Sequence, residues 1–288
     1  RRFVGQHMGE DVPLSPLASA DLRAIRAGMA RDGVVVLRDL YPRPLLEKIC
    51  ASVLRRHESG ELHRRGLVRD IGGRYTAVLP YEGPFLDKRF YAPAALLRAL
   101  EALLGAEHVI GSLEAVIALP GASAQYQHID GPLRLERGAG RTKKGYARNL
   151  SDLPPYALAL ATPLCDMDED NGPTALWPGS HKVALRARLP SEAEVTRRFP
   201  RALMTGRFGF SYLYDYRLFH RGTPHYGREP RPLLMSVFTR SWYRDPNQAE
   251  VSPSVVISNR EYARVPARLR RLFALAPAAR RELWRVSR

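Results

Sequence analysis

Apolar residues recur at helical spacing over Ser19–Gly33, where Leu22, Ile25 and Met29 form one stripe, Ser19 stands as the N-cap and Gly33 as the stop. Val34–Leu40 is a β-branched run and predicts a strand. Pro42–Arg56 returns to helical spacing through Leu45, Leu46, Ile49 and Val53, and Ala92–Leu104 predicts a further helix ended by Gly105. Residues 57–90, rich in Gly, Arg and Tyr, carry no clear period. The texture then changes. His108–Leu119, Gln125–Asp130, Tyr156–Leu164, Thr174–Pro178, Phe210–His220 and Leu233–Trp242 read as strands, separated by turns rich in Pro, Gly, Asp and Asn. Helical, Arg-rich stretches follow around Tyr262–Phe273 and Pro277–Val286.

This pattern predicts a mainly β centre with flanking helices. Many antiparallel strands at this length suggest a sandwich or barrel, with a jelly roll as the expected form. A single domain is expected, with a helical N-terminal flank over 20–105, a jelly-roll core over 106–245 and a helical extension over 246–288.

Composition changes this picture little. The 288 residues are 45% hydrophobic and 26% charged, which excludes a disordered or fibrous chain. No apolar run approaches the ~18 residues that span a bilayer. The formal charge of +16 invites a nucleic-acid partner. However, only Lys48, Lys88, Lys143, Lys144 and Lys182 are lysines; the other 40 cations are Arg, spread along the whole chain. That bias reads as codon composition as much as a binding surface, so nucleic acid is discounted as a partner. Cys50 and Cys165 are too few for a disulfide framework and are expected as buried free thiols. The opening residues have no apolar signal core, so a cytoplasmic setting is expected.

The chemistry begins with His128 and Asp130. Side chains two apart on a strand share a face, so both can reach one metal inside a barrel. His220 closes another predicted strand ninety residues later. Two His and one carboxylate with open positions form the facial triad of non-haem Fe(II) oxygenases. A surface His beside an Asp is the plain alternative. Arg231 follows His220 by eleven residues across a turn holding Gly222, Pro224, Gly227 and Pro230. If both flanks are strands, the hairpin returns Arg231 to the metal pocket, where its fork suits the far carboxylate of a dicarboxylate chelating iron.

His128–Asp130, Asn171–Lys182 (NGPTALWPGSHK) and His220–Asp245 (HRGTPHYGREPRPLLMSVFTRSWYRD) resemble the phytanoyl-CoA dioxygenase family of Fe(II)/2-oxoglutarate oxygenases. Asp32–Ile49 is similar to that family's opening helix–strand–helix. The resemblance spans most of residues 20–245 and implies a double-stranded β-helix. It implies that His128, Asp130 and His220 hold Fe(II), that Arg231 pairs with the C5 carboxylate of 2-oxoglutarate, and that O2 is the second co-substrate. Gln125 and Thr174 match further 2-oxoglutarate contacts of some members. His181 reads as structural. Where much of the family has Asn, this chain has His225, a candidate substrate contact. Related halogenases replace the metal carboxylate with a small residue. Asp130 is retained here, so hydroxylation is the expected reaction, with desaturation, epoxidation and rearrangement open to the same residues.

The expected substrate is a small molecule, anionic or carrier-bound, because the basic segment Arg134–Asn149 follows the H-x-D strand as a candidate lid. Arg74 and Tyr75 are candidate pocket residues, Arg74 for a carboxylate. Trp177 and Trp242 are expected in the core. The aromatic alternation at Phe208, Phe210, Tyr212, Tyr214 and Tyr216 reads as a strand with one aromatic face. Two other classes stay open: a basic nucleic-acid- or protein-binding module with a vestigial metal site, and an oxygenase that modifies a macromolecule docked on the basic segment. A monomer or homodimer is expected.

Overall fold

The computed structural model describes residues 11–64, 68–131, 153–183, 190–245 and 254–279. After the short strand β1 (Leu17–Ala18), helix α1 (Leu22–Asp32) buries Ile25, Gly28 and Met29 on one face. Its N-cap is Asp21, whose carboxylate accepts from the Ala24 amide at 3.0 Å; Ser19, the expected cap, instead donates to the Asp39 carbonyl. An Asp accepting from N3 satisfies one orphan donor of the first turn, which is why it displaces the serine two residues earlier. Gly33 ends the helix in the left-handed region, φ 71°, and leads straight into β2 (Val34–Arg38). Helix α2 (Arg43–Glu58) starts after Pro42 and buries Leu45, Leu46, Ile49 and Val53, as its spacing predicts.

The segment without a period contains α3 (Glu61–Arg64), an antiparallel pair β3 (Val68–Ile71) and β4 (Arg74–Val78), and α4 (Lys88–Tyr91). Helix α5 (Ala94–Leu104) then precedes the long strand β5 (His108–Ala118). Downstream come β6 (Ala157–Pro163), β7 (Thr174–Leu176), α6 (Glu192–Thr196), β8 (Ala202–Leu203), β9 (Ser211–Asp215), β10 (His220–Gly222), β11 (Arg231–Arg240), α7 (Asn259–Ala263) and a 3₁₀ turn over Ala267–Phe273.

An eight-stranded sheet runs β1-β2-β9-β6-β11-β5-β4-β3, and a three-stranded sheet runs β10-β7-β8. The helices α1, α2 and α5 cover the outer face of the large sheet, against Leu158, Leu160, Leu213 and Leu234. The inner face, with Ala159, Ala161, Tyr212, Tyr214 and Leu233, packs against Leu176 and Ala202 of the small sheet. Period-two alternation therefore sends one set of side chains to the helices and the other into the barrel. This is the double-stranded β-helix.

Several strand and burial expectations need correction. Phe210–His220 is not one strand: β9 lies in the large sheet and β10 in the small one. The corner between them is tied by Arg217, which donates to both oxygens of Asp215 at 2.6–2.9 Å, with both residues buried. Gln125–Asp130 makes only a single bridge, His128 to His220, rather than a strand. Trp177 is buried as expected, but Trp242 is 62% exposed. Both cysteines are free and half-buried. No described helix is long and apolar enough to cross a membrane. The basic segment 134–149 lies outside the described residues.

Candidate metal centre and co-substrate pocket

The bridge between His128 and His220 brings two imidazoles side by side, ring centroids 4.3 Å apart. Asp130, two residues past His128, turns to the same side. One ligand atom from each of the three lies within 4.8 Å of the others. His128 Nδ1 faces the Tyr126 carbonyl at 2.9 Å, and His220 Nδ1 faces the Leu218 carbonyl at 3.1 Å. A carbonyl only accepts, so each Nδ1 carries the proton and each Nε2 offers its lone pair to a metal. Those Nε2 atoms lie 3.8 and 3.5 Å from Asp130 Oδ1. Asp130 Oδ2 accepts from the Tyr214 hydroxyl at 3.0 Å.

The electrostatics follow from burial and mutual attraction. Burial pushes the Asp130 carboxyl up, but the neighbouring His220 and His128 and the Tyr214 hydroxyl outweigh it, leaving it at about 2. Burial and the neighbouring His220 hold His128 below its ordinary value. Burial also acts to lower His220, but Asp130 overrides it and raises the imidazole. A carboxylate and two imidazoles in this arrangement fit a mononuclear divalent iron with open positions.

The ligands open onto a cavity of about 260 Å³ whose far wall is the large sheet. Inward residues there form rows set by register: Arg74, Ala118 and Arg231 in one, Thr76, Val116 and Leu233 in the next, then Val78, Glu114 and Met235. Arg231 is thus brought to the pocket by the opposite sheet, where it pairs with Ala118 on β5, and not by a hairpin with β10. It is 2% exposed, and Nη2 donates to the Gly172 carbonyl at 2.9 Å, while Nε and Nη1 have no partner among the described residues. Gly172 sits at φ 73°, and a Cβ there would stand 3.0 Å from the Thr223 carbonyl and 3.3 Å from Arg74 Nη2, so the NGP turn favours glycine. Arg74 donates to the carbonyls of Ser123 and Thr223 and has no partner at Nε. Burial and the nearby Arg231 bring Arg74 down to about 10. Neither guanidinium meets a carboxylate among the described residues.

Gln125 and Thr174 also line the cavity; Gln125 accepts from the Gly222 amide and Thr174 pairs with the Tyr212 hydroxyl at 2.7 Å. Tyr75 does not line it. It lies on the other face of β4, its hydroxyl on His57 Nδ1. His225 is buried in the turn before β11, with Nε2 on the Glu229 carbonyl at 2.7 Å, and is not in the lining either. His181 sits against Gly33, away from the metal ligands. Tyr214, Tyr212, Glu114, Met235 and Asp245 belong to the site or its lining and escaped sequence reasoning, since a period-two run does not say which face is the barrel interior.

A double-stranded β-helix with two His and one Asp at one end of its interior, and a buried arginine without a carboxylate partner among the described residues lining the same cavity, defines a non-haem iron oxygenase. The chain matches the family model described as phytanoyl-CoA dioxygenase over residues 29–233, most of its length, and belongs to that family. Among solved structures it is similar to EctD from S. alaskensis, crystallised with 2-oxoglutarate and 5-hydroxyectoine, at 22% identity over 77% of both chains with a TM-score of 0.61. It is also similar to SnoN, an epimerase of nogalamycin biosynthesis crystallised with Fe3+ and alpha ketoglutarate, at 17% identity over 81% of this chain and 89% of that one, TM-score 0.61. SnoK, a carbocyclase from the same biosynthesis, matches at 16% identity over 85% and 96%, TM-score 0.52. The cofactor and co-substrate that fit the centre are Fe(II) and 2-oxoglutarate.

Proposed function

We propose that the chain is an Fe(II)- and 2-oxoglutarate-dependent dioxygenase that hydroxylates an unactivated C–H bond of a small molecule, releasing succinate and CO2. One observation carries this reading: the three ligand atoms converge on a cavity that is also lined by Arg231, a buried guanidinium with two donor nitrogens that have no partner among the described residues. Iron with 2-oxoglutarate and dioxygen supplies the oxidising power for C–H cleavage.

The residues divide the remaining work. His128, Asp130 and His220 hold the metal. Arg231 binds the far carboxylate of 2-oxoglutarate as a fork, and a charge-assisted pair of this kind gains strength from the dry pocket. Thr174 and Gln125 line the path between anchor and metal. Arg74, fixed beside Arg231, offers Nε to a carboxylate. Asp130 occupies the position a halide ligand would need, which supports hydroxylation over halogenation. His225 and Tyr75, being outside the lining, have no part in this reading.

EctD and SnoN were crystallised with small molecules, 5-hydroxyectoine and nogalamycin RO, which supports a small-molecule substrate here. The part of the lining beyond the two arginines combines apolar Val78, Met235 and Val237 with the carboxylates of Glu114 and Asp245, and Tyr126, 72% exposed, stands at its rim. The free cysteines fit a cytoplasmic setting.

The test is anaerobic addition of Fe(II) and then 2-oxoglutarate to metal-free protein. A weak visible charge-transfer band is expected, diminished in His220→Ala and Arg231→Ala. Failure of iron to bind the wild type would discard the oxygenase and favour a binding module.

A further inference from the structure

Strand β9 sets two tyrosines, Tyr212 and Tyr214, side by side on the inner face. Both are almost wholly buried. Their cross-strand partners on β6 are Ala161 and Ala159, so the small side chains leave room for the rings. Residues two apart on a strand advance by about 6.8 Å. The two rings keep that step, stacked with centroids 6.1 Å apart and planes 24° apart.

Each hydroxyl meets a different half of the site. Tyr214 donates to Asp130 Oδ2 at 3.0 Å, and its ring lies 5.0 Å from that of His220. That bond turns Oδ1, the oxygen nearer both His Nε2 atoms, toward the metal position. Tyr212 pairs with Thr174 Oγ1 at 2.7 Å, and Arg231 lies within electrostatic reach of it. Burial pushes Tyr212 up to about 12, so it stays a phenol, and either hydroxyl of the pair can donate. Thr174, which lines the cavity, is fixed there by that bond.

We propose that Tyr214 and Tyr212 are positioning residues that act as a two-step ruler on β9: Tyr214 holds Asp130 as a one-oxygen metal ligand, and Tyr212 holds Thr174 at the co-substrate anchor one strand repeat away. The proposal rests on the oxygenase reading. Its reach is separable, because each phenol touches one half-site only.

The test uses the full chain with Co(II) as the metal probe and 2-oxoglutarate as the ligand, and compares Tyr214→Phe with Tyr212→Phe. Phe keeps the ring and the stacking, and thermal melts confirm the fold. Tyr214→Phe is expected to weaken Co(II) binding by about tenfold and to shift its visible ligand-field spectrum, as loss of an outer-shell partner does. Its 2-oxoglutarate affinity on Co(II)-loaded protein should be unchanged. Tyr212→Phe should do the reverse, weakening 2-oxoglutarate by about fivefold, the loss of one hydrogen bond, with an unaltered Co(II) spectrum. Thr174→Val should repeat the Tyr212 effect from the other side of the bond. Variants that leave both readouts unmoved, or that shift both alike, would overturn the ruler. A wild type that takes up no Co(II) would overturn the oxygenase reading itself.

Discussion

The two walls of the cavity are built differently. The metal wall is irregular: His128 sits on a single bridge, Asp130 in a bend, and His220 opens a three-residue strand. The anchor wall is regular, with Arg74 and Arg231 flanking Ala118 in continuous antiparallel register. On the first wall, geometry comes from side chains and carbonyls that aim the ligands: the Tyr126 and Leu218 carbonyls, the Tyr214 hydroxyl and the Arg217 corner. On the second it comes from the sheet itself. A sheet resists displacement cooperatively, so it can hold cations where water would otherwise be needed. The short segments can instead be trimmed by individual hydrogen bonds.

That contrast is open to direct attack. The largest effect is expected on the metal wall: His128→Ala or Asp130→Ala should abolish 2-oxoglutarate turnover while leaving the melting temperature nearly unchanged. Full activity in either variant would remove the metal assignment. Arg217→Ala strikes the corner between the walls and strands Asp215 as an uncompensated buried charge. Chemical denaturation should show a loss of about 3–5 kcal/mol. A loss below about 1 kcal/mol would mean that the corner does not depend on the pair. On the anchor wall, Arg231→Ala should raise the 2-oxoglutarate requirement by at least tenfold, given about 2–5 kcal/mol for a buried charge-assisted pair, with metal affinity preserved. An unchanged requirement would remove its role.

The smallest effect is in pH. Asp130 raises His220 in the metal-free protein, and a metal needs the neutral imidazole. Co(II) affinity should therefore fall as the solution is acidified through that raised value. Both arginines stay charged near neutrality, Arg74 at about 10 included, so the anchor wall should not respond. A metal affinity that does not fall as the solution is acidified through that value would contradict this difference between the walls.

Sequence reading found the helices α1, α2 and α5 and the barrel class, and it singled out His128, Asp130, His220 and Arg231, which the fold brings to one cavity. Those signals are local: a stripe at helical spacing, an H-x-D pair, a Gly- and Pro-rich turn. It misplaced what depends on which strand belongs to which sheet. Phe210–His220 reads as one strand because its apolar pattern runs through a corner that only the Asp215–Arg217 pair reveals. The same ambiguity dismissed Tyr212 and Tyr214, admitted Tyr75, which faces the helices, and assigned Arg231 to a hairpin. His225 looked like a pocket residue until its imidazole was seen bracing its own turn.

Arg74 and Arg231, buried side by side without a carboxylate among the described residues, also bear on how the protein keeps its shape. Their charges repel one another in the folded state, and on the proposed reading a bound dicarboxylate would offset that repulsion. The co-substrate is then part of the fold's own balance, and its presence at a hundred times the dissociation constant adds about 2.7 kcal/mol to the native state. A cell short of 2-oxoglutarate would hold a less durable enzyme as well as an idle one, so protein lifetime would follow the supply of this metabolite.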